Sequence, residues 1–356
     1  MGKQSSWKQA FRYSVNRFKT LTMKKSDTLR IDLHLPRHWD ALTTPQMEIV
    51  ADCIMREIAA GGESGAYNPK KVKMDIFLRL TGLEIIESVT DSLPPEERYF
   101  IAVKKNESGS RMKRICMKLT GNSYTAPFKV YIWQVNQWIE ECLKWLDNTS
   151  NRTIFPYPVF KSKGRIFRGP SRLMQNFNWR QYRISSDYYD YYLAESNSLV
   201  RYASRKDCEP RKLSEIQKRV REARNLLLAS LFCEEVEVRN AAGLLEKDNP
   251  YIPGQEAKNK DCFDRFTDLQ MQVVLFWFIG MMSYLQKKFP KVFKKGNPKK
   301  QQQVNPFEVY TRMMTNLQKY LNGASEEQIN NATYTIMLEN LNDMMEEHER
   351  MERRKG

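Results

Sequence analysis

Closely spaced cysteines, histidine, phosphate-binding glycine loops and long apolar runs are all scarce in this 356-residue sequence. The six cysteines (Cys53, Cys116, Cys142, Cys208, Cys233, Cys262) are spread evenly, with no two lying two to four residues apart. A structural zinc site draws two ligands from one tight turn, so this spacing argues against zinc and for reduced, buried thiols in a cytosolic protein. Of the three histidines, His34 and His38 have the four-residue spacing of a metal-binding helix. Pro36 stands between them and Ile31–Leu35 alternates like a strand, which removes that reading. No glycine-rich phosphate loop, serine elbow or carboxylate metal motif occurs. Scattered carboxylates need no local signature, but the expectation is a protein that is not an enzyme and takes no cofactor or metal. The most apolar stretch, Val273–Met282, is ten residues long. A bilayer span needs about 20, so a buried core helix is expected and no membrane association. The first thirty residues carry eight Lys and Arg against one acid, with no apolar run of signal-peptide length, so a soluble protein in the cytoplasm is expected.

What is present is basic charge. There are 58 Lys and Arg against 42 Asp and Glu, a formal +16, while 41% of residues are apolar, enough for a globular core. Residues 1–27 read as a basic flexible arm. Leu29, Ile31, Leu33 and Leu35 alternate like a half-buried strand that Pro36 ends. Thr43 and Gln46 form a capping box before a helix with Met47, Val50, Ile54 and Ile58 inward, stopped by Gly61-Gly62. A second helix covers about 70–80, with Val72, Ile76, Phe77 and Leu80 inward. Tyr99–Val103 and Arg114–Leu119 read as a hairpin around Asn106–Gly109. Phe128–Leu146 reads as one amphipathic helix, its Trp-rich stripe taken as core. Residues 28–147 therefore form a small α+β unit with a short sheet. Residues 148–170, rich in Pro and Gly, read as a basic linker, and 171–350 as a helical domain with helices near 186–205, 214–236, 262–288, 306–321 and 325–350. The fold class is mainly α (α+β).

Four constellations stand out. Between Asp147 and Asp187 there is no acid but eight Lys and Arg. Lys161, Lys163, Arg165, Arg168, Arg172, Arg180 and Arg183 alternate with Phe155, Phe160, Phe167, Phe177, Trp179 and Tyr182. Such a mixture holds single-stranded nucleic acid, cations following phosphates and rings stacking on bases. The plainer alternative docks the rings into the helical domain and leaves the cations in water. Lys287–Lys300 carries seven lysines, either a solvated loop or an anion-attracting one. The helix Asp268–Lys287 is apolar on every side in its middle, as only a fully surrounded helix tolerates. Core packing is its first reading and a partner groove its second, with Phe276, Trp277 and Met281 the contact residues. The last helix carries adaptable methionines (Met337, Met344, Met345) suited equally to a core or to a docking surface.

Leu33–Thr43 (LHLPRHWDALT) is similar to the opening of a family of uncharacterised proteins from prophages and related mobile elements of Bacteroides-type bacteria. Leu173–Tyr182 (LMQNFNWRQY), Leu227–Phe232 and Phe276–Phe293 (FWFIGMMSYLQKKFPKVF) match the same pattern, so the resemblance covers most of 28–350. It implies a tail-assembly-chaperone role: a helical, non-catalytic protein that shields a phage tail or other structural protein. The long basic arm and the charged Cys208–Arg219 insertion depart from the pattern. They leave open the alternative, nucleic-acid binding by the arm and the 152–183 tract through Lys161, Lys163, Arg165, Arg168, Arg172, Trp179 and Arg180.

Overall fold

The computed structural model describes residues 35–61, 67–90, 93–104, 127–205, 207–239, 245–293 and 306–355. The basic arm, His34, Cys116, Arg114–Leu119 and the polar Lys294–Gln303 segment lie outside these. The chain divides into two compact units, one ending at Asn148 and the other beginning at Thr149. Helices dominate both, with small antiparallel sheets.

In the first unit, α1 (Thr44–Gly61) opens with the expected capping box. Thr43 N–H donates to Gln46 Oε1 at 2.9 Å and Gln46 N–H to Thr43 Oγ1 at 3.4 Å. Asn68 caps α2 (Pro69–Thr81), and Gly82 closes it in the left-handed region at φ 68°. Met47, Val50, Ile76 and Phe77 are fully buried, and Phe77 stacks on Trp138 at 6.1 Å. Ile58 departs from the expected inward stripe and faces water, while Glu57 turns inward and accepts from Lys71 Nζ at 2.7 Å.

The sheet of this unit runs β1 (Leu83–Val89), β2 (Tyr99–Lys104), β3 (Phe128–Tyr131), all antiparallel. One expectation is corrected here. Phe128–Tyr131 is a strand paired with Tyr99–Ala102, and the helix α3 (Ile132–Cys142) begins only after it. Pairing between residues almost thirty positions apart overrode the helical spacing of their side chains. Over Tyr99–Ala102, β2 has a neighbour on each side, β1 and β3.

The second unit corrects the expected linker at 148–170. Val159–Ser162 (β4) and Arg165–Arg168 (β5) form a hairpin over Lys163-Gly164, both with positive φ, and β5 pairs further with β6 (Cys233–Glu234). Phe155 and Phe167 from this tract are buried in the main core. The four rings of this segment, Phe155, Tyr157, Phe160 and Phe167, have no helical or strand period and look like linker in one dimension, yet each packs against another ring in three.

The remaining elements are α4 (Trp179–Ala203), α5 (Pro210–Leu231), β7 (Val236–Arg239), β8 (Leu245–Asp248), α6 (Gln255–Asn259), α7 (Asp268–Lys288), α8 (Pro306–Tyr320), α9 (Glu326–Asn331) and α10 (Tyr334–Lys355). The helix expected from 262 starts at 268, because Thr267 and Gln270 cap it reciprocally. The helix expected over 325–350 is two helices. Ala332 is extended, its carbonyl accepts from Trp179 N–H at 2.8 Å, and Thr333 bridges to Asn178, so the start of α4 holds the break open.

α7 is the axis of the core. Trp277 is fully buried and meets Phe155 edge-on at 4.6 Å and Phe278 at 5.9 Å. Phe160, Phe232, Phe263 and Phe266 continue the aromatic packing at 5.3–6.5 Å. The Thr149–Phe155 strap crosses α7 at Gly280, where a Cβ would lie 2.3 Å from the Arg152 carbonyl oxygen. Only glycine allows that approach. Farther along, Leu173 and Met174 both sit in the left-handed region, at φ 56° and 52°. Tyr334 Oη donates to Leu173 O at 2.6 Å and Leu173 N–H to Thr153 O at 3.3 Å, so packing on two sides holds a conformation that costs about 1–2 kcal/mol per residue.

Candidate functional site

Much of the polar interior of the second unit is bonded within the fold, although the indole N–H groups of Trp179 and Trp277 find no acceptor among the described residues. Gln255 Nε2 donates to Ala229 O and Phe232 O, each at 3.2 Å, and Gln181 Nε2 to Ser230 O at 2.9 Å. Together they satisfy carbonyls that the end of α5 leaves orphaned. Both amides also approach Cys233 Sγ, at 3.7 and 3.4 Å. Burial pushes the Cys233 thiol up to about 11, against the pull of these donors from Gln255 and Gln181. Tyr251 donates to buried Glu256 at 2.5 Å. Among the described residues no three His, Cys, Asp or Glu side chains gather as metal ligands, and Cys53, Cys142, Cys208, Cys233 and Cys262 are free thiols.

The basic aromatic tract comes apart by side-chain type. Trp179 is buried and stacks on Tyr182 at 5.7 Å, and Phe155, Phe160, Phe167 and Phe177 pack in the core. None of these rings is placed to stack on a base. Arg165 pairs with Glu234 at 2.9 Å and donates to Asn259 Oδ1 at 3.0 Å and Cys262 Sγ at 2.7 Å, while Arg168 pairs with Glu235. Arg183 lies over the Tyr310 ring at 3.7 Å. Lys161, Lys163 and Arg172 stay exposed and Arg180 half-buried.

Of the six residues singled out for protein contact, Trp277, Met281 and Met337 are inside the core, and Phe276 is half-buried on α7. Met344 and Met345 belong to something different. Along α10, positions 337, 341, 344, 348 and 351 recur in alternating four- and three-residue steps, the spacing of a helix-packing seam. The seam loses its cover as it runs. Met337 is 3% and Leu341 5% exposed, Met344 is half-buried, His348 is exposed and Met351 is 49% exposed. Met345, one turn after Leu341 and two after Leu338, is 40% exposed on the same side.

Protein-family models, curated proteins and solved structures offer no match to this chain.

The site therefore stands on its own geometry. The first half of α10 is anchored, with Tyr334 in the core, Lys288 paired with Glu339 at 3.1 Å and Asn342 Oδ1 accepting from Lys291 N–H at 3.2 Å, and the Lys291 Nζ–Glu349 pair tethers one side of the second half. A helix held at one end presents its continuing seam in fixed register. Met351 was missed in reading the sequence, although the heptad spacing from Met337 was there to be found. Ile336, 50% exposed, lies outside the seam, about 100° from Met337 on the helix.

Proposed function

We propose that this chain is a non-catalytic assembly factor of a phage or related mobile element, acting in the bacterial cytoplasm by binding a helical segment of a tail or other structural protein. The observation that carries the reading is the seam of α10, which buries Met337 and Leu341 and then runs on through half-buried Met344 and exposed His348 to exposed Met351, with exposed Met345 at its edge. Methionine suits such a surface, because its unbranched, polarizable side chain adapts to partners of differing relief. An amphipathic partner helix laid along the seam would extend the packing that the first two turns already make. The partner's aggregation-prone face would stay covered until assembly displaces it. The phage setting rests on the resemblance of Leu33–Thr43, Leu173–Tyr182, Leu227–Phe232 and Phe276–Phe293 to prophage proteins.

Co-expression with a large helical tail protein of the same type of mobile element tests the reading. The wild-type chain should hold that protein in a soluble complex, and a Met345→Lys/Met351→Lys variant should lose it while melting at an unchanged temperature. Equal solubility of the large protein in the absence of this chain would overturn the proposal.

A further inference from the structure

The charged insertion that sets this sequence apart forms the tip of the α4–α5 hairpin, and its cations converge there. Tyr202, at the end of α4, is buried, and its hydroxyl accepts from Glu209 N–H at 3.1 Å, closing the tip. The Arg205 guanidinium lies 5.6 Å from the centre of the Tyr202 ring and the Lys212 ammonium 5.4 Å from it, one from each side of the turn. Both are exposed, and among the described residues neither has a carboxylate partner. Arg201, one turn earlier on α4, gives its Nε–H to Asn197 O and is likewise exposed. Arg211 is 93% exposed, with only Glu215 near, at 3.6 Å. No acid stands in the first turn of α5, and its N-cap residue Glu209 makes no side-chain cap bond. Four cations from two helices thus share one end of the hairpin and outnumber the acids there, exposed Asp207 and Glu209 in the turn and Glu215 beside Arg211, so the tip keeps a positive surplus that attracts an outside anion.

We propose that this tip binds the phosphate backbone of duplex nucleic acid without regard to base sequence. The cations are long and solvent-exposed, as phosphate contacts require. The ring at the site is buried beneath them and offers no face for stacking, which sets this surface apart from a single-strand platform. The inference is independent of the α10 seam.

The test is fluorescence anisotropy of the full chain with a 20-base-pair duplex and the matching single strand, between 50 and 200 mM salt. Two fourfold variants of equal charge are compared: R201Q/R205Q/R211Q/K212Q at the tip, and K161Q/K163Q/R172Q/K258Q at exposed lysines and an arginine elsewhere. At about 0.9 per phosphate contact, losing four contacts should flatten the slope of log K against log salt by about 3.6 and weaken duplex binding by more than about 1,000-fold at 0.1 M salt. The control should keep most of its slope. If the tip variant fails to fold, R211Q alone must still lower the slope by about 1. Equal weakening by both variants, preference for the single strand, or no duplex binding at 50 mM salt would overturn the proposal. The last result would point to an acidic protein surface in place of nucleic acid.

Discussion

Gly280→Ala turns the strap crossing into a measurement of opposite signs. In the interior of a helix, replacing glycine by alanine contributes about 1 kcal/mol of stability by restricting the unfolded chain. At this position the added methyl would lie 2.3 Å from Arg152 O, 2.4 Å from Arg152 N and 2.9 Å from Arg152 C. Ordinary contact begins at 3.4 Å, so the strap must retreat by about 1 Å. It has little freedom to do so. Arg152 is buried, its Nε–H donates to Ile154 O at 2.8 Å, and Phe155 three residues on is wedged against Trp277. Overpacking of this kind costs about 1–3 kcal/mol and more where backbone meets backbone. The net expectation is a loss of about 2 kcal/mol after the helical gain, or about 4–8 °C in the melting temperature of a unit this size. Thermal melting followed by far-ultraviolet circular dichroism and tryptophan fluorescence reads it directly. A variant that melts at or above the wild-type temperature would show that the strap does not cross α7 at Gly280.

Trp277→Ala should cost about 3–5 kcal/mol in denaturant unfolding, whereas Trp277→Phe should cost far less, because the indole N–H has no acceptor among the described residues and its removal relieves an unsatisfied donor. Gln255→Leu strands the Ala229 and Phe232 carbonyls and should destabilise by about 1–3 kcal/mol; an unchanged midpoint would refute the capping role. The Cys233 thiol, raised by burial to about 11 from 9.0, holds its proton longer in the folded chain than in the unfolded one. Its contribution is therefore complete below pH 9 and is lost as pH rises towards 11, by up to about 2–3 kcal/mol, and Cys233→Ala should flatten that part of the pH–stability curve.

The helices of both units were legible because their signals are local. The Thr43–Gln46 capping box formed as expected, and the Ser325–Gln328 box, Pro69 at a helix start and Gly82 after its end are local signals of the same kind. The inward side of α2 also formed as expected, whereas α7 is not surrounded on every side as its apolar middle led one to expect: Val273, Val274, Trp277, Phe278 and Met281 are buried, but Leu275, Phe276, Ile279 and Met282 stay half-buried. The strands were poorly legible. β1, β4 and β5 have no clean alternation, and β3 carries a helical spacing. Pairing with segments far along the chain made them strands, and a short window of sequence cannot weigh that. The break before Tyr334 has the same origin, since nothing in Asn331–Thr333 stops a helix until Asn178 and Trp179 take up its backbone.

For the candidate surfaces the division is sharper. Residue types announced where rings and cations cluster along the chain, but the same interleaving of Phe, Trp, Lys and Arg suits a base-stacking groove and a folded core. Sequence alone determined that this is a basic, helix-rich chain with an apolar axis at 273–282 and no local catalytic signature. Tertiary structure decided that Trp179 and Trp277 face inward, that Met345 and Met351 face outward, and that Arg205 and Lys212 meet over one ring. The reason is physical: a side chain's identity sets what its burial is worth, while the neighbours that bury it arrive from other parts of the chain.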